Sequence, residues 1–465
     1  MYLSKRVTFD TIPFSPCRFV NDVPPVSTAK ANAPRLQREV GLVGAIFLGL
    51  GSIIGTGIFV SVGIAAGAAG PAVLLAIPLA ALLATCNGLS SAQLAAAHPV
   101  SGGTYEYGYR WLHPCLGFLA GWMFVAAKSA SAATAALGFS GYLLHLLQID
   151  APAWRLPISL LIVLLVTAAV LTGMRRSNLA NAILVTTTLL ALLLLIVIAL
   201  PTALASSARF VPMFSPVTAD RSSTFGLIQA VALMFVAYTG YGRIATLGEE
   251  VENPRRTIPL AIIVTLFIAM AFYWLIGLVA VGVLGADQLA SATLSQGAPL
   301  EVVAGQVGGA PLAIVLALGA TTAMAGVLLN LVLGLSRVVL AMGRRRDLPA
   351  IFGQLNAAQT TPTAAVQLVA AIVMGLVLIG DVKTTWSFSA FTVLIYYALT
   401  NLAALRLTRK QRLYPAVFAW IGLAICLLLP FWVDAAVWQW GLLLIAAGLI
   451  WHFLAQQITS RRRRS

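Results

Sequence analysis

Charge is the scarcest property of this sequence. Only 9% of its 465 residues are Asp, Glu, Lys or Arg, whereas 60% are hydrophobic. A soluble domain carries about 25% charged residues. So few charges cannot cover a water-facing surface, which excludes a soluble globular protein and leaves a polytopic membrane protein. Acids number 14, and all fall in loops, tails or span ends. Cys17, Cys86, Cys115 and Cys426 are scattered without a C-x-x-C pair, and His98, His113, His145 and His452 are equally dispersed. That spacing offers no zinc or haem site, and no cofactor or metal is expected. There is no H-E-x-x-H, no pair of intramembrane aspartates and no G-x-S-x-G, so an embedded enzyme has nothing to work with. A channel wants rings of polar residues on several helices, and a sensor wants a soluble output domain. Neither pattern is present.

What is there is a series of apolar stretches, each about the 20 residues that cross a bilayer once. Twelve are read, near 42–67, 72–95, 116–146, 157–174, 180–201, 224–247, 258–284, 311–341, 364–380, 386–405, 414–432 and 436–457. The net charge of +15 invites a nucleic-acid reading, but its distribution argues against one. With a cytoplasmic N-terminus, the outer loops hold only Arg155, Arg209, Arg221 and Lys383. The inner segments collect Arg110, Arg175, Arg176, Arg255, Arg256, Arg344 to Arg346, the basic cluster of 406–412, the N-terminal cations and Arg461 to Arg464. This is the positive-inside pattern, and it puts both termini in the cytoplasm. The style of composition suggests a bacterial inner membrane. Residues 1–38 mix Pro, Ser, Asn and charges without an apolar core for a signal peptide, and are expected to be a disordered cytoplasmic tail.

Two spans are weakened where a span should be most regular. The first carries Gly51-Ser52-Ile53-Ile54-Gly55-Thr56-Gly57, and the sixth carries Tyr238-Thr239-Gly240-Tyr241-Gly242. Glycine costs about 1 kcal/mol relative to alanine inside a helix. In lipid, freed backbone is tolerated only beside protein or a watery cavity. Breaks five spans apart are the mark of two five-helix repeats of opposite topology. The expected organisation is repeat one over 39–205, repeat two over 206–410, two extra spans over 411–457 and a basic tail over 458–465. Glycines that merely allow close helix packing are the simpler alternative.

The loop after span 6 runs Glu249-Glu250-Val251-Glu252-Asn253-Pro254-Arg255-Arg256. Its acid-then-base order suits helix-end charge placement or an inner salt-bridge gate of Glu249 and Glu250 with Arg255 and Arg256. The loop after span 8, Arg344-Arg345-Arg346-Asp347-Leu348-Pro349, reads the same way.

Four motifs, in this order and spacing, resemble the amino acid–polyamine–organocation (APC) superfamily of permeases, in its bacterial and cationic-type branch, over about residues 38–432. They are G-S-I-I-G-T-G-I-F at Gly51 to Phe59; P-V-S-G-G-T-Y-E-Y at Pro99 to Tyr107 with G-F-L-A-G-W at Gly117 to Trp122; Phe235 to Pro259, ending E-E-V-E-N-P-R-R-T-I-P; and S-R-V-V-L-A-M-G-R-R-R-D-L-P at Ser336 to Pro349. The resemblance implies a five-plus-five inverted repeat, alternating access, and an α-amino acid held between unwound spans 1 and 6. Peptide dipoles agree with that pose. The second half of span 1, from Gly55-Thr56-Gly57, offers free N–H groups and a positive dipole end to a carboxylate. The first half of span 6 ends in carbonyls that suit an ammonium. Ser52, Ile53, Gly55, Thr56, Gly57, Val236, Ala237 and Thr239 are therefore the expected substrate-binding residues. The chain departs from the family at Gly242, where an acid is usual and which Arg243 follows here, at Val236, where an aromatic is common, and at Thr188, which matches the lysine of span 5 in some relatives.

Lys128 sits midway along span 3, where a charge costs about 2.5–3.5 kcal/mol on insertion scales. Three readings compete. As the coupling group it would gain and lose a proton as the cavity alternates sides, since burial favours a neutral amine, giving proton symport; when charged it could fill a sodium-like pocket beside Thr321 and Thr322. As a binding group it would favour acidic amino acids. As a structural cation it would bond the carbonyls of a broken helix. The sequence thus predicts a secondary transporter of small neutral amino acids coupled to protons, with an exchanger lacking net ion coupling as the alternative. Its expected partners are substrate, protons and lipid, not nucleic acid.

Overall fold

The computed structural model describes residues 40–100, 102–149, 151–172, 178–214, 222–245, 251–356 and 361–464. The expected N-terminal tail, Glu249 and Glu250 lie outside the described residues. Within them the chain is helical, and its one piece of β pairing is the isolated bridge between Val40 and Val251.

The chain opens with α1 (Leu42–Ile53), a π-helical turn over Gly57–Ser61, α2 (Val62–Ala69) and α3 (Val73–Ala97). A short helix, α4 (Thr104–Trp111), precedes the long α5 (Pro114–Leu146), α6 (Arg155–Leu171) and α7 (Asn178–Ala205). Then come α8 (Ser223–Tyr238), a 3-10 turn over Thr239–Tyr241, α9 (Gly242–Ala245), α10 (Pro254–Leu284) and α11 (Ala286–Ser295). The chain closes with α12 (Pro299–Arg344), α13 (Thr363–Ile379), α14 (Val382–Leu405), α15 (Ala416–Leu428) and α16 (Ala435–Arg464). Nine helical stretches among the described residues are long and apolar enough to cross a membrane. The protein is an all-helical integral membrane protein. The basic tail expected at 458–465 continues α16 to Arg464: no Gly or Pro interrupts it, and arginine is a good helix former.

Alanine and serine explain which helices lie inside. α5 carries Ala126-Ala127, Ser129-Ala130-Ser131-Ala132-Ala133 and Ala135-Ala136, and small residues let backbones approach closely in a membrane. It packs along its length against α12 and α14. In α14, 78% of the most apolar window is buried, against 22% in α16, so α14 belongs to the interior and α16 to the rim. Hydroxyl pairs stitch α5 to α14: Ser131 to Ser389 at 2.8 Å and Thr134 to Thr385 at 2.8 Å.

A carboxylate clasps one end of the bundle. Asp347, just past α12, accepts from Tyr105 Oη at 2.6 Å and Tyr109 Oη at 2.7 Å, both on α4. Trp451 of α16 donates to its carbonyl at 2.8 Å. Arg345 pairs with Glu106 at 2.6 Å and lies 4.2 Å over the Tyr109 ring. Burial pushes the Asp347 carboxyl above its ordinary range, against the opposing pull of the two hydroxyls. The post-α12 loop is thus fixed to two other segments at one residue, by its side chain to α4 and by its carbonyl to α16. The double variant Tyr105→Phe/Tyr109→Phe is expected to lose about 2 kcal/mol per hydroxyl, as hydrogen bonds to charged groups do, and to lower the thermal unfolding midpoint. An unchanged midpoint would mean that the clasp bears no strain.

Candidate functional site

The break in the first span is sharp. Ile54 leaves the helical region, with φ −83° and ψ 101°, after its N–H closes the last α1 bond to Leu50 O at 2.7 Å. Backbone bonding resumes when Ile58 and Phe59 donate to Gly55 O at 3.0 and 3.1 Å. The N–H groups at the head of a new helix have no acceptor within it, and here those of Thr56 and Gly57 hold that position. The π-helical turn that follows is a geometry frequent at functional sites.

The break in α8 is gentler. The α-helix ends at Tyr238 and tightens into the 3-10 turn, with every residue from Tyr238 to Gly242 still right-handed. The carbonyls expected to be unpaired are not: Val236 O accepts from the Thr239 N–H and Thr239 O from the Gly242 N–H within the turn, and side-chain donors add to these bonds. Tyr273 Oη of α10 lies 2.8 Å from Ile53 O and 3.1 Å from Ala237 O, so one hydroxyl serves both breaks. Tyr397 Oη of α14 donates to Thr239 O at 3.3 Å. Thr239 Oγ1 donates to Val236 O at 2.7 Å.

Two glycines make this approach possible. A Cβ on Gly240 would stand 2.7 Å from Ile53 Cγ1 and 2.5 Å from the Ser52 carbonyl carbon. A Cβ on Gly57 would meet the Tyr273 hydroxyl and lie 3.2 Å from Ala237 Cα. The glycines read as helix breakers also let the two broken helices touch.

Between the breaks lies a cavity of about 40 Å³, room for a few waters at roughly 10–15 Å³ each. Ser52, Ile53, Thr56 and Gly57 line one side, and Val236, Ala237, Thr239 and Gly240 the other. Lys128 and Ser131 reach in from α5, Val327 and Leu331 from α12, and Trp386 from α14. Thr56 is buried, and its hydroxyl has no hydrogen-bond partner among the described residues. Gly55 sits beside the cavity, its α-carbon packed against the Val327 side chain. Lys128 Nζ donates to Thr239 Oγ1 at 2.8 Å. Among the described residues it is the sole charged group in the lining.

The sequence-predicted substrate residues therefore gather around one space, joined by Lys128. Thr321 and Thr322 do not join them. Their hydroxyls donate to Ala317 O and Leu318 O of their own helix, at 2.9 and 2.7 Å, and Thr322 is exposed. Thr188 is buried and likewise bonds its own helix, at Leu184 O. Arg255 and Arg256 open α10 and are exposed, away from the cavity. Tyr273, Trp386, Ser131, Val327 and Leu331 went unread. A mid-span hydroxyl in the apolar run Phe272-Tyr273-Trp274 was the one available signal. Tyr273→Phe leaves two buried carbonyls without their donor and is expected to cost about 1–3 kcal/mol, measured as a lower unfolding midpoint; equal midpoints would show that the carbonyls need no such partner.

Comparison with known proteins places this architecture. The family model described as amino acid permease matches residues 40–460. An uncharacterized transporter of Mycobacterium tuberculosis is 38% identical over 434 residues, covering 92% of this chain and 94% of the relative. The methylthioribose transporter of Bacillus subtilis is 28% identical over 92% of this chain and 95% of its own length. A branched-chain amino acid permease of the same organism is 27% identical, with 85% and 86% covered. The chain belongs to the amino acid permease family of the APC superfamily.

Proposed function

We propose that this protein is a secondary active transporter of small, neutral L-amino acids, working by alternating access with Lys128 as the group that binds the coupling proton. One observation carries the reading: the cavity lies between two interrupted helices and is uncharged apart from Lys128. The head of the second half of the first span, at Thr56 and Gly57, suits a carboxylate. The carbonyl-bearing end of α8 suits an ammonium. Ile53, Val327, Leu331 and Trp386 supply an apolar wall, which favours an apolar side chain, and a relative named for branched-chain amino acids supports the same class. With no acid in the lining, a cationic side chain would meet Lys128 with nothing to balance it.

The reading extends to the whole chain. The first candidate span, Leu42–Ala97, has 56 residues and turns at Gly70, where φ is 60°. Counted as two crossings, and with the shorter apolar helices Thr363–Ile379 and Ala416–Trp432, it brings the total to twelve. The breaks after Ile53 and Tyr238 then fall at matching places in two inverted five-helix repeats. The Lys and Arg distribution favours both termini in the cytoplasm of a bacterial inner membrane.

Uptake by full-length protein in proteoliposomes tests this. Each of the twenty L-amino acids is offered with and without an imposed pH gradient of either sign. Small apolar amino acids are expected to accumulate when a gradient is present, and Lys128→Ala is expected to lose that dependence. Accumulation of none of them would overturn the function, and undiminished gradient-driven uptake by Lys128→Ala would overturn the role of the lysine.

A further inference from the structure

Lys128 stands where the ammonium group of an amino acid would have to go. Its Nζ lies 2.8 Å from Thr239 Oγ1, and that hydroxyl hands its own proton to Val236 O at 2.7 Å. The neighbouring carbonyls are engaged as well. Ala237 O shares the single Tyr273 O–H with Ile53 O, at 3.1 and 2.8 Å, and Thr239 O takes both the Tyr397 hydroxyl and the Gly242 N–H. An ammonium arriving at this end of α8 finds its natural acceptors occupied, the foremost by another ammonium.

The surroundings offer no counter-charge that would let both stay. From α1 and the turn after it come Ser52, Ile53, Thr56 and Gly57; from α12, Val327 and Leu331; from α14, Trp386. The titratable groups beside the two breaks are tyrosines, Tyr273 on α10, Tyr397 on α14, and Tyr238 and Tyr241; Glu301, Arg337 and Arg344 of α12, His145 of α5 and Lys383 and Tyr396 of α14 are outside the lining. Arg243, on α9, is outside the lining. Two ammonium groups a few ångströms apart, with no carboxylate between them, repel strongly in a medium of low dielectric constant.

We infer that Lys128 is a tethered stand-in for the substrate's ammonium: it is protonated while no amino acid is bound, and it releases that proton when an amino acid's ammonium takes its place beside Thr239. The inference rests on the proposed reading that the substrate is a zwitterion. The step balances simply. One N–H bond of Lys128 breaks, its electron pair stays on the nitrogen as a neutral amine, and the proton passes to water on the side to which the cavity is open. The Thr239 end holds one positive nitrogen before and one after.

The sign of coupling follows. A ligand that binds only the neutral-amine form has its apparent affinity reduced by the fraction in that form. While Lys128 is mostly protonated, Kd falls tenfold for each unit rise in pH, then levels off once the amine is neutral. Because the proton leaves as the amino acid enters, the two cross the membrane in opposite directions. Accumulation is then driven by an acidic interior, the reverse of the symport that the sequence suggests.

Isothermal titration of the purified full-length transporter tests the inference. Each of the twenty L-amino acids is titrated between pH ~6 and ~9, in two buffers of different ionisation enthalpy. The expected result is one proton released per amino acid bound, with Kd tightening tenfold per pH unit over the lower part of the range. In Lys128→Met both the release and the pH dependence are expected to vanish; their persistence there would trace the proton to the substrate's own amine and overturn the inference. Wild-type binding that is independent of pH, or that takes up a proton, overturns it without touching the proposed function. Absence of binding by all twenty overturns both.

Discussion

A peptide group released from its helix inside an apolar protein must find another partner, and this constraint shapes the centre of the molecule. The first span gives up its ladder at Ile54, and α8 tightens its own into a 3-10 turn after Tyr238. Each freed carbonyl costs several kcal/mol in hydrocarbon if left alone. The structure answers with side-chain donors from three other helices: Tyr273, Tyr397 and Lys128 acting through Thr239. These partners satisfy polar groups at both breaks, beside the cavity.

The same partners tie the site to the rest of the bundle. Tyr397 belongs to α14, and its neighbour Tyr396 accepts from the Thr104 N–H at 3.3 Å at the start of α4. Thr104 and Thr400 share a further bond of 2.7 Å. One turn along α4, Tyr105 and Tyr109 grip Asp347 beyond α12. A continuous series of contacts therefore runs from the 3-10 turn at Thr239 to the clasp at the end of the bundle. Its members are helices and hydrogen bonds of 2.6 to 3.3 Å, so a change at the turn has a physical route to the loops.

Much of this was legible in the residues. Glycines at 51, 55 and 57 mark the first break because glycine is the one residue that both weakens a helix and permits close approach. Lys128 announced itself as a mid-span charge. The second break was overread: glycine lowers the cost of leaving the helix without forcing departure, and the chain there only tightens. Thr321 and Thr322 were misjudged because a hydroxyl in a helix can satisfy itself on the preceding turn, which sequence spacing cannot reveal. Val327, Leu331 and Trp386 were illegible for another reason. They sit in uniformly apolar helices, and which face meets the cavity is decided by how α12 and α14 pack on α5, not by anything local.

The central claim is that two interrupted helices, pinned by Tyr273 and Lys128, enclose the place where an amino acid binds. An experimental structure determined with a small apolar L-amino acid present would test it most directly. The account predicts density for that molecule between Thr56–Gly57 and Thr239, with its carboxylate on the N–H groups of the restarting helix and its amine at Thr239. A continuous α-helix through 51–57, or a ligand bound elsewhere with this space filled by side chains, would contradict it.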